Sequence, residues 1–311
     1  MRSSTVLYVA TALMLSAGSA LAQPRAAAQD PSADLLRQAT EQMRDGHAED
    51  ALATARRALA ASPQSYQANN QMGALLDLAG RYKDAREAFA KAADVAPTPD
   101  NKARAQRAIA ISYGFESDCG GAAKYEAPLY HQYLDARDFY NAGEVANELA
   151  RLCLDAGKID EAERWYTTGT DAGLREPDIK AERQDLWHYR LEHALARIAA
   201  RRGNQAEAQK HVAAAKAILD RGTMAAQQKE YFPYLAGYVA LYTGDYQTAL
   251  TQLQLGNQSD AYVLGLIAQT YEKLGQNDKA MEYYRKVMAS TVHNPTTAGS
   301  RPLARTKLAA K

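Results

Sequence analysis

The chain has 311 residues and carries 37 Lys and Arg against 36 Asp and Glu, so no global field draws it toward nucleic acid. It has only two cysteines, no glycine-rich phosphate loop, no Gly-x-Ser-x-Gly elbow and no paired-cysteine metal spacing, which excludes the nucleotide-loop, serine-hydrolase and zinc-ribbon classes. Nineteen tyrosines stand against four phenylalanines, and phenol oxygens require partners wherever they are buried.

At the N-terminus, Arg2, the apolar run Val6–Leu15 and Ala20-Leu21-Ala22 before Gln23 predict a cleaved export signal over 1–22, with a periplasmic or secreted mature protein. The apolar run is shorter than the roughly 20 residues of a spanning helix, and no transmembrane segment is expected after cleavage. Residues 23–31 read as a flexible leader, with Ser32 or Asp34 as the first helix cap.

From residue 32 the chain repeats. Gly46 and Gly80, Ala51 and Ala85, Ala55 and Phe89, Ala58 and Ala92, and Pro63 and Pro97 are each 34 residues apart. Within 66–99, Met72, Gly73 and Leu76 make one apolar helix face, and Gly80 supplies a reversal with φ > 0. Ala85, Phe89 and Ala92 then form the face of a second helix, and Pro97 closes the unit. Such a hairpin cannot bury its own face, so neighbouring hairpins must cover it. The third unit, 100–142, is irregular: Ile109, Ala110 and Tyr113 keep the first-helix pattern, but Ser117–Gly121 interrupts it. An insertion near 114–126 is expected there, and a hidden catalytic site would have only that segment to occupy.

Later units keep the turn glycine and the alanine after it: Gly157 and Ala162, Gly203 and Ala208, Gly244 and Ala249, Gly275 and Ala280. Tyr166, Val212, Leu253 and Tyr284 stand where Phe89 stood. The spacing predicts a long first helix in the fifth hairpin, Asp178–Arg201, and in the sixth, Thr223–Thr243 with a bend near Pro233. The end, 292–311, is basic. Val292–Gly299 is turn-like, Ser300 and Pro302 resemble a helix start, and Leu303 with Leu308 would cap the final hairpin; contact with an anionic surface is the alternative.

Across 32–291 these residues resemble the tetratricopeptide repeat family. The resemblance implies an all-α, right-handed solenoid of about seven hairpins whose first helices line a concave groove. Carried residue by residue, the groove positions are Arg190, His193, Arg197 and Arg201 on the fifth hairpin and Tyr231, Tyr234, Tyr238 and Tyr242 on the sixth; both sets share one helix face on spacing alone. Arg104, Arg107, Asn147 and Arg151 would extend the groove. Such a surface suits a protein or peptide partner that is acidic or proline-rich, since arginine forks bind carboxylates and tyrosines give rigid contact. Carbohydrate or cell-wall fragments stacked on the tyrosines are the alternative.

The family's carboxylate-clamp positions in the first hairpins hold Ala33, Leu36, Gln67 and Asn70, so chaperone-tail binding is not implied. His188, Glu192 and His193 lack the i, i+4 histidine spacing of a helical zinc site. No catalytic residue, metal or cofactor is expected. Cys119 and Cys153 could pair in an oxidising compartment, with a buried thiol at Cys153 as the alternative.

Overall fold

A computed structural model describes residues 32–310, so the export signal and leader read from 1–31 lie outside the described residues. Among the described residues there is no strand, and the α-helices number fifteen. They pair as α1 (Ala33–Arg44) with α2 (Ala48–Ala61), α3 (Tyr66–Ala79) with α4 (Tyr82–Asp94), α5 (Pro99–Phe115) with α6 (Cys119–Asp135), and α7 (Phe139–Asp155) with α8 (Ile159–Gly173). Then follow α9 (Ala181–Arg201) with α10 (Gln205–Asp220), α11 (Phe232–Thr243) with α12 (Tyr246–Leu255), α13 (Ala261–Lys273) with α14 (Asn277–Met288), and a last helix, α15 (Pro295–Ala309). No described helix is long and apolar enough to cross a membrane.

The reversals share one chemistry. Gly80 takes φ 88°, which lets the Arg81 N–H reach back to the Leu76 carbonyl at 2.8 Å and satisfy an orphan acceptor at the end of α3. At the third hairpin Ser117 takes the left-handed place, φ 56°, and the Asp118 side chain accepts from Gly121 N–H to open α6. The expected insertion is therefore absent. Residues 116–118 form an ordinary turn with Ser117 in the glycine's position, between two helices of 17 residues each, and Cys119–Gly121 are the first turn of the second.

That turn places Cys119 at the start of α6 against Cys153 of α7, and the two are joined as a disulfide with Cα atoms 4.7 Å apart. The bond closes a loop of 34 residues, worth about 3–4 kcal/mol in the chain-entropy model. Reduction should lower the unfolding free energy measured in urea by that amount, with the midpoint falling in proportion, and a Cys119→Ser, Cys153→Ser double variant should match the reduced protein. An unchanged midpoint on reduction would refute the estimate.

α9 starts three residues later than the spacing predicts, because Asp178 itself adopts φ 52°. The sixth hairpin's first helix is two pieces, a 3-10 turn over Ala226–Tyr231 and then α11, with Pro233 in the first turn where its missing N–H costs nothing.

α15 begins before the predicted Ser300. Asn294 accepts from Thr297 N–H at 2.9 Å and Pro295 occupies the first turn. Leu303 and Leu308 do pack on the core of the last hairpins, and Lys307 pairs with Glu272 at 2.9 Å. The tail also reaches back to the second hairpin. The His293 Nε2 lies 2.8 Å from Asp77 Oδ2, and its ring packs on Phe89 and Phe115. Arg301 Nε and Arg305 Nη2 both donate to the Leu78 carbonyl, at 2.9 and 2.7 Å. Leu78 lies in the last turn of α3, so two arginines of the basic tail satisfy a helix-end carbonyl within the chain.

Candidate functional site

The first helices of hairpins three to seven, α5, α7, α9, α11 and α13, border a cavity of about 470 Å³, together with residues of the 3-10 turn and the start of α15. Its wall is built of paired charges. Arg107 donates twice to Glu148, at 3.0 and 2.7 Å, and Arg190 pairs with Glu144. Arg151 donates to Asp155 at 2.8 Å and lies 4.0 Å over the Tyr262 ring. Tyr262 in turn donates to Asp155 at 2.7 Å, which clasps α13 to α7.

Arg197 differs from these. It is only 4% exposed, donates to the His193 carbonyl at 3.2 Å and to the Tyr166 hydroxyl at 3.1 Å, and has no acidic partner among the described residues. The His193 ring stacks on Tyr234 at 5.4 Å. Burial first, then the Arg197 and Arg151 charges, hold the His193 imidazole well below its ordinary value, so it is neutral at pH 7. Burial pushes the Tyr189 phenol up to about 12 and raises that of Tyr234, so both remain hydroxyl donors. Five buried polar atoms of the wall have no protein partner: Asn147 Oδ1, Arg151 Nη2, Arg197 Nη1, and the hydroxyls of Tyr189 and Tyr234.

Behind the Arg107–Glu148 pair, Glu126 on α6 is wholly buried, and burial, then the Glu148 charge, pushes it well above the usual carboxylate range. A carboxyl raised in the folded state contributes stability that is fully present below its unfolded value and lost as pH rises through the folded one. Glu126→Gln should therefore gain on wild type in thermal melts as pH rises from about 4 to 8. Parallel curves would remove Glu126 from the account.

Eight of the twelve predicted groove residues meet at this cavity: Arg107, Asn147, Arg151, Arg190, His193, Arg197, Tyr231 and Tyr234. Arg104 is exposed and not among the lining residues. Arg201 and Tyr242 line a second recess of about 250 Å³. Tyr238 is fully buried between them, its hydroxyl 3.4 Å from Arg201, so it belongs to the core. Only Tyr231, at 47% exposure, offers an open ring. His188 is exposed, and Glu192 is held by His211 Nδ1 at 2.6 Å. Cys119, Cys153 and Glu161 cluster closely, but the disulfide occupies both sulfurs.

The reading along the chain missed Glu144, Glu148, Tyr166, Tyr189, Tyr262, Pro295 and Thr296. Glu144 and Glu148 were within reach, since they share a face of α7 with Arg151 at i, i+4, i+7. Pro295 and Thr296 arrive only because the tail folds back.

Residues 36–102 match a family model described as "Tetratricopeptide repeat", and residues 261–290 match a second of the same description. No curated protein matches the chain. Among solved structures, a tetratricopeptide repeat protein from Parabacteroides merdae ATCC 43184 is 13% identical, with 89% of this chain and 97% of that one covered and a TM-score of 0.45. PilW, described as a widely conserved type IV pilus biogenesis factor, is 17% identical, with 83% and 93% covered and a TM-score of 0.33.

Proposed function

We propose that the chain, two segments of which match the tetratricopeptide repeat family, is an exported repeat scaffold which holds a protein or peptide partner in the cavity bordered by its first helices and performs no chemistry itself. The observation that carries this reading is a single recess onto which five first helices bring residues, five of which also hold a buried polar atom without a protein partner. A polar group withdrawn from water without a partner costs about 1–3 kcal/mol, and a bound segment that supplies the missing partner offsets that cost. The export signal read at 1–22 and the Cys119–Cys153 bond both suit an oxidising compartment. With one open tyrosine ring at the site, recognition by polar groups is favoured over stacking on prolines or sugar rings.

A photo-crosslinking residue at Tyr231, beside the cavity, should capture a partner that the same residue at Lys83, exposed on α4, does not. Identical capture at both positions would remove the cavity from the proposal. Mass spectrometry of the exported protein should give an N-terminus at Gln23.

A further inference from the structure

Resting on the export reading, we infer that Asn257 is the acceptor of an N-linked glycan at the edge of the cavity. The donor is a sugar joined through its anomeric carbon to a diphosphate.

The sequence offers one acceptor and excludes its nearest rival. Asn257-Gln258-Ser259 has the Asn-x-Ser form that glycan transferases recognise in exported chains, and the form is usable only in a surface loop. Asn294-Pro295-Thr296 has matching outer residues, but proline stands between them. The Asn294 oxygen is also committed to capping α15, where it accepts from Thr297 N–H and from the Thr296 hydroxyl. No other asparagine has serine or threonine two residues on.

The structure supplies the loop. Residues 256–260 join α12 to α13, and Asn257, Gln258 and Ser259 are all exposed. The Asn257 Oδ1 accepts the Ser259 backbone N–H at 2.9 Å and the Ser259 hydroxyl at 2.7 Å. A backbone N–H can only donate, so it fixes which terminal atom of the side chain is the oxygen. The other terminal atom, on an exposed side chain, is the Nδ2 nucleophile.

The same two contacts bear on the chemistry. An amide nitrogen is a poor nucleophile because its lone pair is shared with the carbonyl, and two donors on Oδ1 stabilise the charge that gathers there as an Nδ2 proton leaves. In the transfer, Nδ2 attacks the anomeric carbon and an N–C bond forms as the C–O bond to the diphosphate breaks. The diphosphate departs with the bonding pair, a base of the transferase takes one Nδ2 proton, and nothing is oxidised or reduced. Asn257 lines the cavity with Tyr231 and Asp260, so a glycan on Nδ2 narrows access to the site at which the scaffold is proposed to hold its partner.

The test is peptide mass spectrometry of the full chain purified from the cells that export it. The peptide that holds Asn257 should carry the added mass of one or more sugar residues, and an amidase specific for N-linked sugars should remove that mass and leave aspartate at the position. Asn257→Gln and Ser259→Ala should both lose the modification, whereas Ser259→Thr, which keeps a hydroxyl, should retain it. Gln258→Pro leaves both reacting residues in place and should lose it as well. All of these substitutions fall in an exposed loop, so the variants should melt with the amidase-treated wild type. An Asn257 peptide of unmodified mass, from protein whose N-terminus is Gln23, would overturn the inference and leave the export reading standing. A sugar mass that survives Ser259→Ala would overturn it too. An N-terminus at Met1 together with an unmodified Asn257 would take the export reading down with it.

Discussion

Trp187→Ala is expected to destabilise the protein by about 3–5 kcal/mol, the cost of a large aromatic lost from a packed interior. Trp187 is 0% exposed and sits on α9 where α7, α8 and α9 meet. Two glycines make room for it: a Cβ at Gly143 would lie 2.5 Å from the indole, and one at Gly173 would overlap the ring outright. The site cannot collapse cheaply, because the indole fills a slot bounded by helix backbone. Gly173→Ala should therefore also destabilise, by overpacking, by about 1–3 kcal/mol. Urea denaturation followed by circular dichroism checks both, and a loss below 1 kcal/mol for Trp187→Ala would show that the slot closes. The effect extends to the cavity, since Trp187 anchors α9 one turn before Arg190, and Arg190 reaches Glu144 on α7.

The hairpins were legible because their turns require a backbone conformation that few residues tolerate. Glycine at Gly46, Gly80, Gly157, Gly203, Gly244 and Gly275 marks a left-handed residue at each reversal, all with positive φ. Where Ser117 takes that conformation the mark is missing, and a regular hairpin reads as an interruption. Asp118 as a helix cap three residues before Gly121 was the signal that could have restored it. The helix of the tail was legible in part: Asn294-Pro295 is a cap followed by a first-turn proline, but the eye is drawn to Pro302, which lies inside the helix.

The site was legible as faces and not as neighbourhoods. Spacing puts Tyr231, Tyr234, Tyr238 and Tyr242 on one face of a helix, but it cannot say which neighbour that face meets. α13 covers part of it: Tyr234 packs on Tyr262, and Tyr238 is left with no exposure at all. The arginine stripe on α9 divides in the same way. Arg190 and Arg197 reach the cavity, while Arg201 turns to the second recess, where its guanidinium lies 5.1 Å over Tyr242. The partner of each charge decides its role, and those partners come from other hairpins.

Removal of the tail from residue 291 onward should destabilise the protein by about 3–5 kcal/mol, since a buried carboxyl and a helix-end carbonyl both lose their partners. Asp77 has no exposure. Its carboxylate accepts from Ser112 Oγ at 2.8 Å and contacts His293 Nε2 at 2.8 Å, and burial still raises its pKa despite the counteracting histidine. Without the tail, Asp77 loses its imidazole, and the Leu78 carbonyl loses both arginines. The residues involved are 216 to 227 positions apart, so the contact closes the chain between its second hairpin and its end. Asp77→Asn separates the charge from the packing: in the truncated chain it should recover part of the loss, while in the full chain it should cost stability by weakening the His293 contact. Equal stability of the full and truncated chains in urea would mean that the tail rests on the hairpins without holding them. A truncated chain that Asp77→Asn does not help would place the loss in the arginine and apolar contacts of α15 and not in the buried carboxylate.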